Sequence, residues 1–166
     1  MRASTEHVAN DIERALDDGI SSVKTLCSEP RLLAGAGAFE LELGKRLKTF
    51  ADGVVGLDQY AVRKFAESLD VVPRQLVENS GGDTTSLMHA LHLAHVQPGG
   101  ETHGFDIEEC CSRDSISAGI FDLYGTKLNA LRLAVDAAIT ILRVDQIVMS
   151  KPAGGPKPPA AGPSDD

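Results

Sequence analysis

Apolar residues recur at three- and four-residue steps along most of this chain, and clusters of glycine or proline interrupt the recurrence. Ile12, Leu16, Ile20, Val23 and Leu26 form one stripe, which predicts a first helix starting after Ser4 or Thr5, either of which can cap it. Gly19 falls inside that helix, directly after the pair Asp17-Asp18. Glycine there costs about 1 kcal/mol relative to alanine, so a close packing partner or a small kink is expected beside the carboxylates. Pro30 ends the region, and Arg31-Leu32-Leu33-Ala34 leads into Gly35-Ala36-Gly37. Phe39, Leu43, Leu47 and Phe50 predict a second helix, with Glu40, Lys45 and Lys48 on its wet side and Gly53 and Gly56 closing it.

The third stripe runs through Ala61, Phe65, Leu69, Val72 and Leu76 and contains Pro73, where a kink or a restart is expected. Asn79-Ser80-Gly81-Gly82 is a stop, after which Asp83 or Thr84 caps a helix carrying Leu87, Met88, Leu91 and Ala94 and ending before Pro98. Gly104-Phe105-Asp106-Ile107 alternates and reads as a short strand or an extended loop, followed by one or two helical turns at 114–118. The last helix, from about Gly125 to Met149, is expected to be the longest, with Leu128, Leu131, Val135, Ala138, Ile139, Leu142 and Ile147 on its apolar face. The fold class is therefore all-α, with one short extended element near 104–109. Beyond Lys151 the composition turns abruptly to Pro and Gly, and residues 151–166 are expected to be a disordered tail.

Composition narrows the function classes. The chain has 166 residues, enough for one domain with a core, and is 42% hydrophobic and 24% charged. Its net charge of −8 argues against a nucleic-acid or anionic-membrane partner. Three cysteines, two of them adjacent, are not a disulfide framework and fit a reducing compartment. The N-terminus lacks an apolar signal core, and the run AVDAAITIL is too short to span a bilayer, so the expected location is cytoplasmic.

The candidate chemistry lies between Leu16 and Leu43. Glycines before a helix let a ligand approach the backbone and leave N–H groups at a positive helix end, while a carboxylate one loop away can orient a water. A plain glycine-rich turn accounts for the same residues. His89, His92, His95, His103, Cys110 and Cys111 lack metal-ligand spacing, so no metal site is assigned, and the histidines are expected to face solvent. Cys27, on an apolar stripe, is expected in the core.

Several blocks together resemble one family. GLDQYAVRKFAESLDVVPRQLVENSG, residues 56–81, resembles the group II chaperonin segment in which a helix meets Pro-Arg and ends at Glu-Asn-Ser/Ala-Gly. LRVDQIVMSKPAGGPKPP at the C-terminus and RASTEHVANDIERALDDG at the N-terminus are similar to one subunit type of the eukaryotic cytosolic chaperonin, in the same order. The resemblance is collinear over essentially the whole chain and covers about the last third of such a subunit. It implies the end of an intermediate domain and a connecting helix at 1–33, and the second half of an equatorial ATPase domain at 34–150.

The resemblance further implies ATP as the nucleotide, a hetero-oligomeric double ring of chaperonin subunits as the assembly, and non-native proteins such as actin and tubulin as substrates. It assigns Asp18 to activation of the attacking water, a role suited to a carboxylate that polarises water for in-line attack. Gly35, Ala36 and Gly37 match a loop against the base and ribose, Asp106 a position beside the adenine, and Asp122 an acceptor for the ribose hydroxyls. Where the family loop is usually Pro-Gly-Gly-Gly this chain has Ala34-Gly35-Ala36-Gly37, and the added Cβ strains the loop if Ala36 needs a positive φ. Leu123 replaces a common proline.

The phosphate loop and the aspartate that binds Mg2+ belong to the family's N-terminal half, so the magnesium ligand is expected outside this chain. Gly82-Asp83-Thr84-Thr85 echoes that loop but stands where a helix cap belongs. The chain alone is therefore not expected to hydrolyse ATP. Two other readings accompany this one: a non-catalytic fragment that docks on chaperonin subunits through unpaired apolar faces, or a truncated gene product without independent function.

Overall fold

The computed structural model describes residues 2–150 together with 154 and 155. The tail expected at 151–166 thus lies, those two residues apart, outside the described residues. The chain divides into two units, Met1–Ala130 and Leu131–Asp166. In chain order the elements are α1 (Glu6–Ser28), β1 (Leu32–Ala34), α2 (Ala38–Asp52), α3 (Asp58–Ser68), α4 (Val71–Ser80), α5 (Thr84–Val96), β2 (His103–Asp106), β3 (Cys111–Asp114), β4 (Phe121–Leu123) and α6 (Tyr124–Leu142). The mainly α class holds.

The ends of the helices follow the local chemistry. Thr5 caps α1 by accepting from the Val8 N–H, and Asp83 caps α5 by accepting from the Thr85 N–H. Gly81 closes α4 in the left-handed region at φ 76°, which glycine reaches without a Cβ clash. The third stripe is two helices: the chain breaks after Ser68 and restarts at Val71, putting Pro73 in the first turn of α4, where a missing donor costs little.

Other expectations are corrected. α1 runs through Gly19 without a break, and among the described residues no neighbour packs against that glycine. α1, not α6, is the longest helix, because α6 stops at Leu142 and residues 144–150 are not helical. Glu40 is buried rather than wet, since it follows the glycine loop on the inward side of α2. His95 is also buried: its Nε2 donates to the His103 carbonyl at 2.7 Å, and its Nδ1 faces Glu42. Cys27 is exposed, as are Cys110 and Cys111.

The core of the first unit joins Leu41 of α2, Val77 of α4, Met88 and Leu91 of α5 and Phe105 of β2, with Leu76 and Leu87 against them. Burying such side chains stabilises by about 1.5–3 kcal/mol each. Two small antiparallel ribbons complete the unit. β2 pairs with β3, and β1 pairs with β4 in the register Leu32↔Leu123, Leu33↔Asp122, Ala34↔Phe121. Only β2 corresponds to the extended element expected near 104–109.

Candidate functional site

The glycine loop is bolted down by its own backbone. Gly35 N–H donates to the Ile120 carbonyl at 3.1 Å, the Ser115 hydroxyl donates to the Gly35 carbonyl at 3.0 Å, and Phe105 N–H donates to the Ala36 carbonyl at 2.9 Å. Ala36 adopts φ 57° and Gly37 φ 80°, so two successive residues are left-handed. For Ala36 that conformation costs roughly 1–2 kcal/mol. The strain condition that the added Cβ raised is therefore met. A Cβ on Gly37 would lie 2.8 Å from Pro73 Cβ, and one on Gly104 would lie 2.7 Å from Ala36 Cβ. The glycines at 37 and 104 thus allow α4 and β2 to close on the loop.

Beside this loop lies a cavity of about 550 Å3, within the range of small-ligand sites. Val72 and Leu76 of α4, Phe105 of β2, Ile107 and Ile120 give it apolar walls. Ala36, Gly37, Asp106, Glu108, Arg113, Asp122 and Lys127 supply the polar positions. The β1–β4 register brings Asp122 back beside the strand that runs into the glycine loop, 88 positions after Ala34 by sequence number (122 − 34). Among the residues singled out from sequence, Ala36, Gly37, Asp106 and Asp122 line one cavity, and Gly35 is buried directly behind them. Asp18 is exposed on α1 and is not among the lining residues.

Each carboxylate of the cavity has a defined environment. Asp106 accepts from Arg113 at 3.0 Å and from the Glu108 N–H at 2.9 Å, and both bonds hold its pKa below the usual carboxylate range. Asp122 Oδ2 lies 3.0 Å from Lys127 Nζ, which also bonds Glu40 Oε1 at 2.5 Å. Burial pulls the Lys127 ammonium down, but the Glu40 and Asp122 carboxylates outweigh it and its pKa is raised. Arg113, Lys127 and Glu40 were not singled out from sequence. Polar residues on helix and strand stripes ordinarily read as solvated, and only the three-dimensional crossing of α2, β4 and α6 near its start brings Glu40, Asp122 and Lys127 together.

The site offers an open apolar slot, two carboxylates with different restraints and a backbone loop free of bulky side chains. That set can hold a small molecule with both apolar and hydrogen-bond-donating parts; among the described residues no group of three His, Cys, Asp or Glu side chains converges. A second cavity of about 560 Å3, between α2, α3 and α5, is lined by Lys45, Lys48, Arg63, His92 and His95 among others. It holds none of the positions that the resemblance assigns to the nucleotide.

Residues 1–152 match the model of the TCP-1/cpn60 chaperonin family. The chain is 46% identical over 165 residues to T-complex protein 1 subunit theta of Dictyostelium discoideum, covering 99% of this chain and 30% of that protein. It is 47% identical over 162 residues to the theta subunit of Gallus gallus and 46% identical to that of Homo sapiens, covering 96% of this chain and 29% of each relative. The theta subunit is the type whose terminal blocks this sequence resembles. In structure it is similar to the open-state monomer of a group II chaperonin from Methanococcoides burtonii, with a TM-score of 0.73 and 32% identity, over 84% of this chain and 35% of that one. The chain thus spans about 30% of the length of these curated relatives.

Proposed function

The chain belongs to the TCP-1/cpn60 chaperonin family, and from that premise we propose that it supplies the nucleoside-facing wall of an ATP pocket in a theta-type chaperonin subunit. The observation that carries this reading is the cavity that gathers Ala36, Gly37, Asp106 and Asp122 between apolar walls. In it the adenine lies against Val72 and Leu76 of α4 with Asp106 beside it, and Asp122 accepts from the ribose hydroxyls. Gly35 and Gly37 keep the loop low enough for the sugar to approach. When bound, ATP supplies the γ-phosphate whose hydrolysis drives the ring. Asp18 serves as the water-activating carboxylate at the phosphate end, away from this cavity. Mg2+ would be held by a ligand outside this chain.

At the level of the assembly, the reading places the chain in a cytosolic hetero-oligomeric double ring that encloses non-native proteins such as actin and tubulin. The test is an adenosine titration of the 166-residue chain followed by amide shifts. Shifts at Gly35, Gly37 and Asp106 that Asp122→Ala weakens are expected. Absence of any shift at the loop would overturn the reading. ATP turnover by the isolated chain that Asp18→Ala abolishes would overturn the division of the pocket.

A second reading, a docking module for chaperonin subunits, is favoured by α1. Among the described residues none of its side chains is buried, and Leu16, Ile20 and Val23 are exposed. Co-sedimentation with an assembled ring, abolished by Ile20→Asp, is its expected signature. A chain that stays wholly in the light fractions excludes it.

A further inference from the structure

The Lys127 ammonium bridges two carboxylates of unlike exposure, Glu40 and Asp122. Glu40 is the anchor: its side chain is 5% exposed, and its Oε2 is buried with no hydrogen-bond partner among the described residues. Its Oε1 takes the ammonium at 2.5 Å. A lysine on an open surface swings freely on its four-carbon stem. This one cannot leave without stranding a buried charge, because a carboxylate removed from water needs its counter-charge. On its outer side the same ammonium sits 3.0 Å from Asp122 Oδ2, at the wall of the cavity. Asp122 therefore has one oxygen occupied by a fixed cation and one oxygen left to accept.

We propose that Lys127 is a positioning residue which, tethered to buried Glu40, occupies Oδ2 of Asp122 and leaves Oδ1 to accept from a vicinal diol such as that of a ribose. The proposal rests on the reading of Asp122 as the sugar-binding acceptor. Its physical content is pre-organisation. A carboxylate already held in one rotamer loses less freedom on binding, and its remaining oxygen is directed rather than averaged over solvent. The raised pKa of Lys127 keeps the tether charged through neutral pH.

The discriminating measurement compares adenosine with 2′,3′-dideoxyadenosine, neither of which carries phosphate, by amide-shift titration of the whole chain. The natural chain is expected to bind adenosine about tenfold more tightly, the scale of hydrogen bonds to a charged acceptor. In the double variant Glu40→Gln/Lys127→Met the buried pair becomes neutral together, so no buried charge is stranded. Adenosine affinity should then fall to the dideoxyadenosine level, while dideoxyadenosine affinity stays unchanged. Glu40→Gln alone, which frees the ammonium from its buried anchor but leaves it the Asp122 carboxylate at 3.0 Å, strands no buried charge and should lose the discrimination as well. It serves if the double variant loses its far-ultraviolet dichroism.

Equal binding of the two nucleosides by the natural chain, or binding of neither, defeats the reading of Asp122 and this proposal with it. Discrimination in the natural chain that survives in either folded variant leaves Asp122 standing and overturns the role of Lys127. Loss of the fold in both variants also overturns it, since Lys127 then acts only as a structural ion-pair partner.

Discussion

At the scale of single residues, the buried pair of Glu40 and Lys127 sets the clearest expectation. Lys127→Ala removes the ammonium but leaves the Glu40 carboxylate inside, where its side chain is 5% exposed. Breaking a buried pair from one side costs about 3–5 kcal/mol, most of it the price of the stranded charge. Urea unfolding should show the midpoint falling while the slope stays constant, and Glu40→Gln in the same background should recover much of the loss. Asp106 makes the second case. Arg113 and the Glu108 N–H depress its pKa, so the folded state holds fewer protons there than the unfolded chain. The resulting stabilisation is present above the ordinary carboxylate value of about 3.9 and is lost as pH falls through the lower folded value. Arg113→Met should raise the Asp106 pKa, read from its side-chain carboxyl carbon resonance. An unmoved titration would mean that the 3.0 Å contact with Arg113 does not persist in solution.

Among the elements, α1 stands apart. Its 23 residues carry an apolar stripe, yet none is buried among the described residues. Helices draw most of their stability from packing such a stripe, and an unpacked one relies on propensity and its caps. Hydrogen exchange should therefore find the α1 amides at least about a hundredfold less protected than those of Met88 and Leu91 in α5, which lie in the core. Thr5→Ala, which deletes the bond to Val8 N–H, should lower helicity by about 1 kcal/mol at that end. Equal protection in both helices would show that something covers α1 in solution.

The same scale explains what could be read in the sequence. Helices with long stripes and chemical caps were legible: caps at Ser4 or Thr5 and at Asp83 or Thr84, the Gly81 stop and a kink or restart around Pro73 all stand in the sequence, and the structure selects Thr5, Asp83 and a restart at Val71. β1 and β4 were not, because three residues give no alternation to detect, and their pairing joins Leu33 to Asp122 across the chain. The positions around the cavity came from resemblance rather than spacing. Lys127 and Glu40 escaped because a charged residue that finds a buried counter-charge looks, in one dimension, like one that faces water, and Arg113 escaped because it is a half-exposed cation like any on the surface.

For the whole molecule the opposing quantities are charge and exposed apolar surface. A net charge of −8 keeps copies apart at low ionic strength. Against it, Phe50 is 63% exposed, Val55 95%, Leu57 83% and Tyr60 66%, clustered around the turn between α2 and α3. Exposed apolar side chains gathered along one turn can serve as an interaction surface, or as an association hazard where the partner is missing. Salt decides between the two terms: the Debye length is about 10 Å at 0.1 M and shrinks further above it, so repulsion fades while apolar attraction stays or strengthens. Sedimentation velocity should accordingly show larger species appearing with protein concentration at high salt, together with binding of an apolar dye. Val55→Ser with Leu57→Ser should suppress both without moving the unfolding midpoint, since neither side chain belongs to the core. If charge repulsion governed instead, the chain would sediment as a single monomeric species at every salt concentration, and the α2–α3 turn would have no claim as a contact surface. If association persisted unchanged in the double variant, the contact would have to lie elsewhere, with the exposed stripe of α1 the next surface to test.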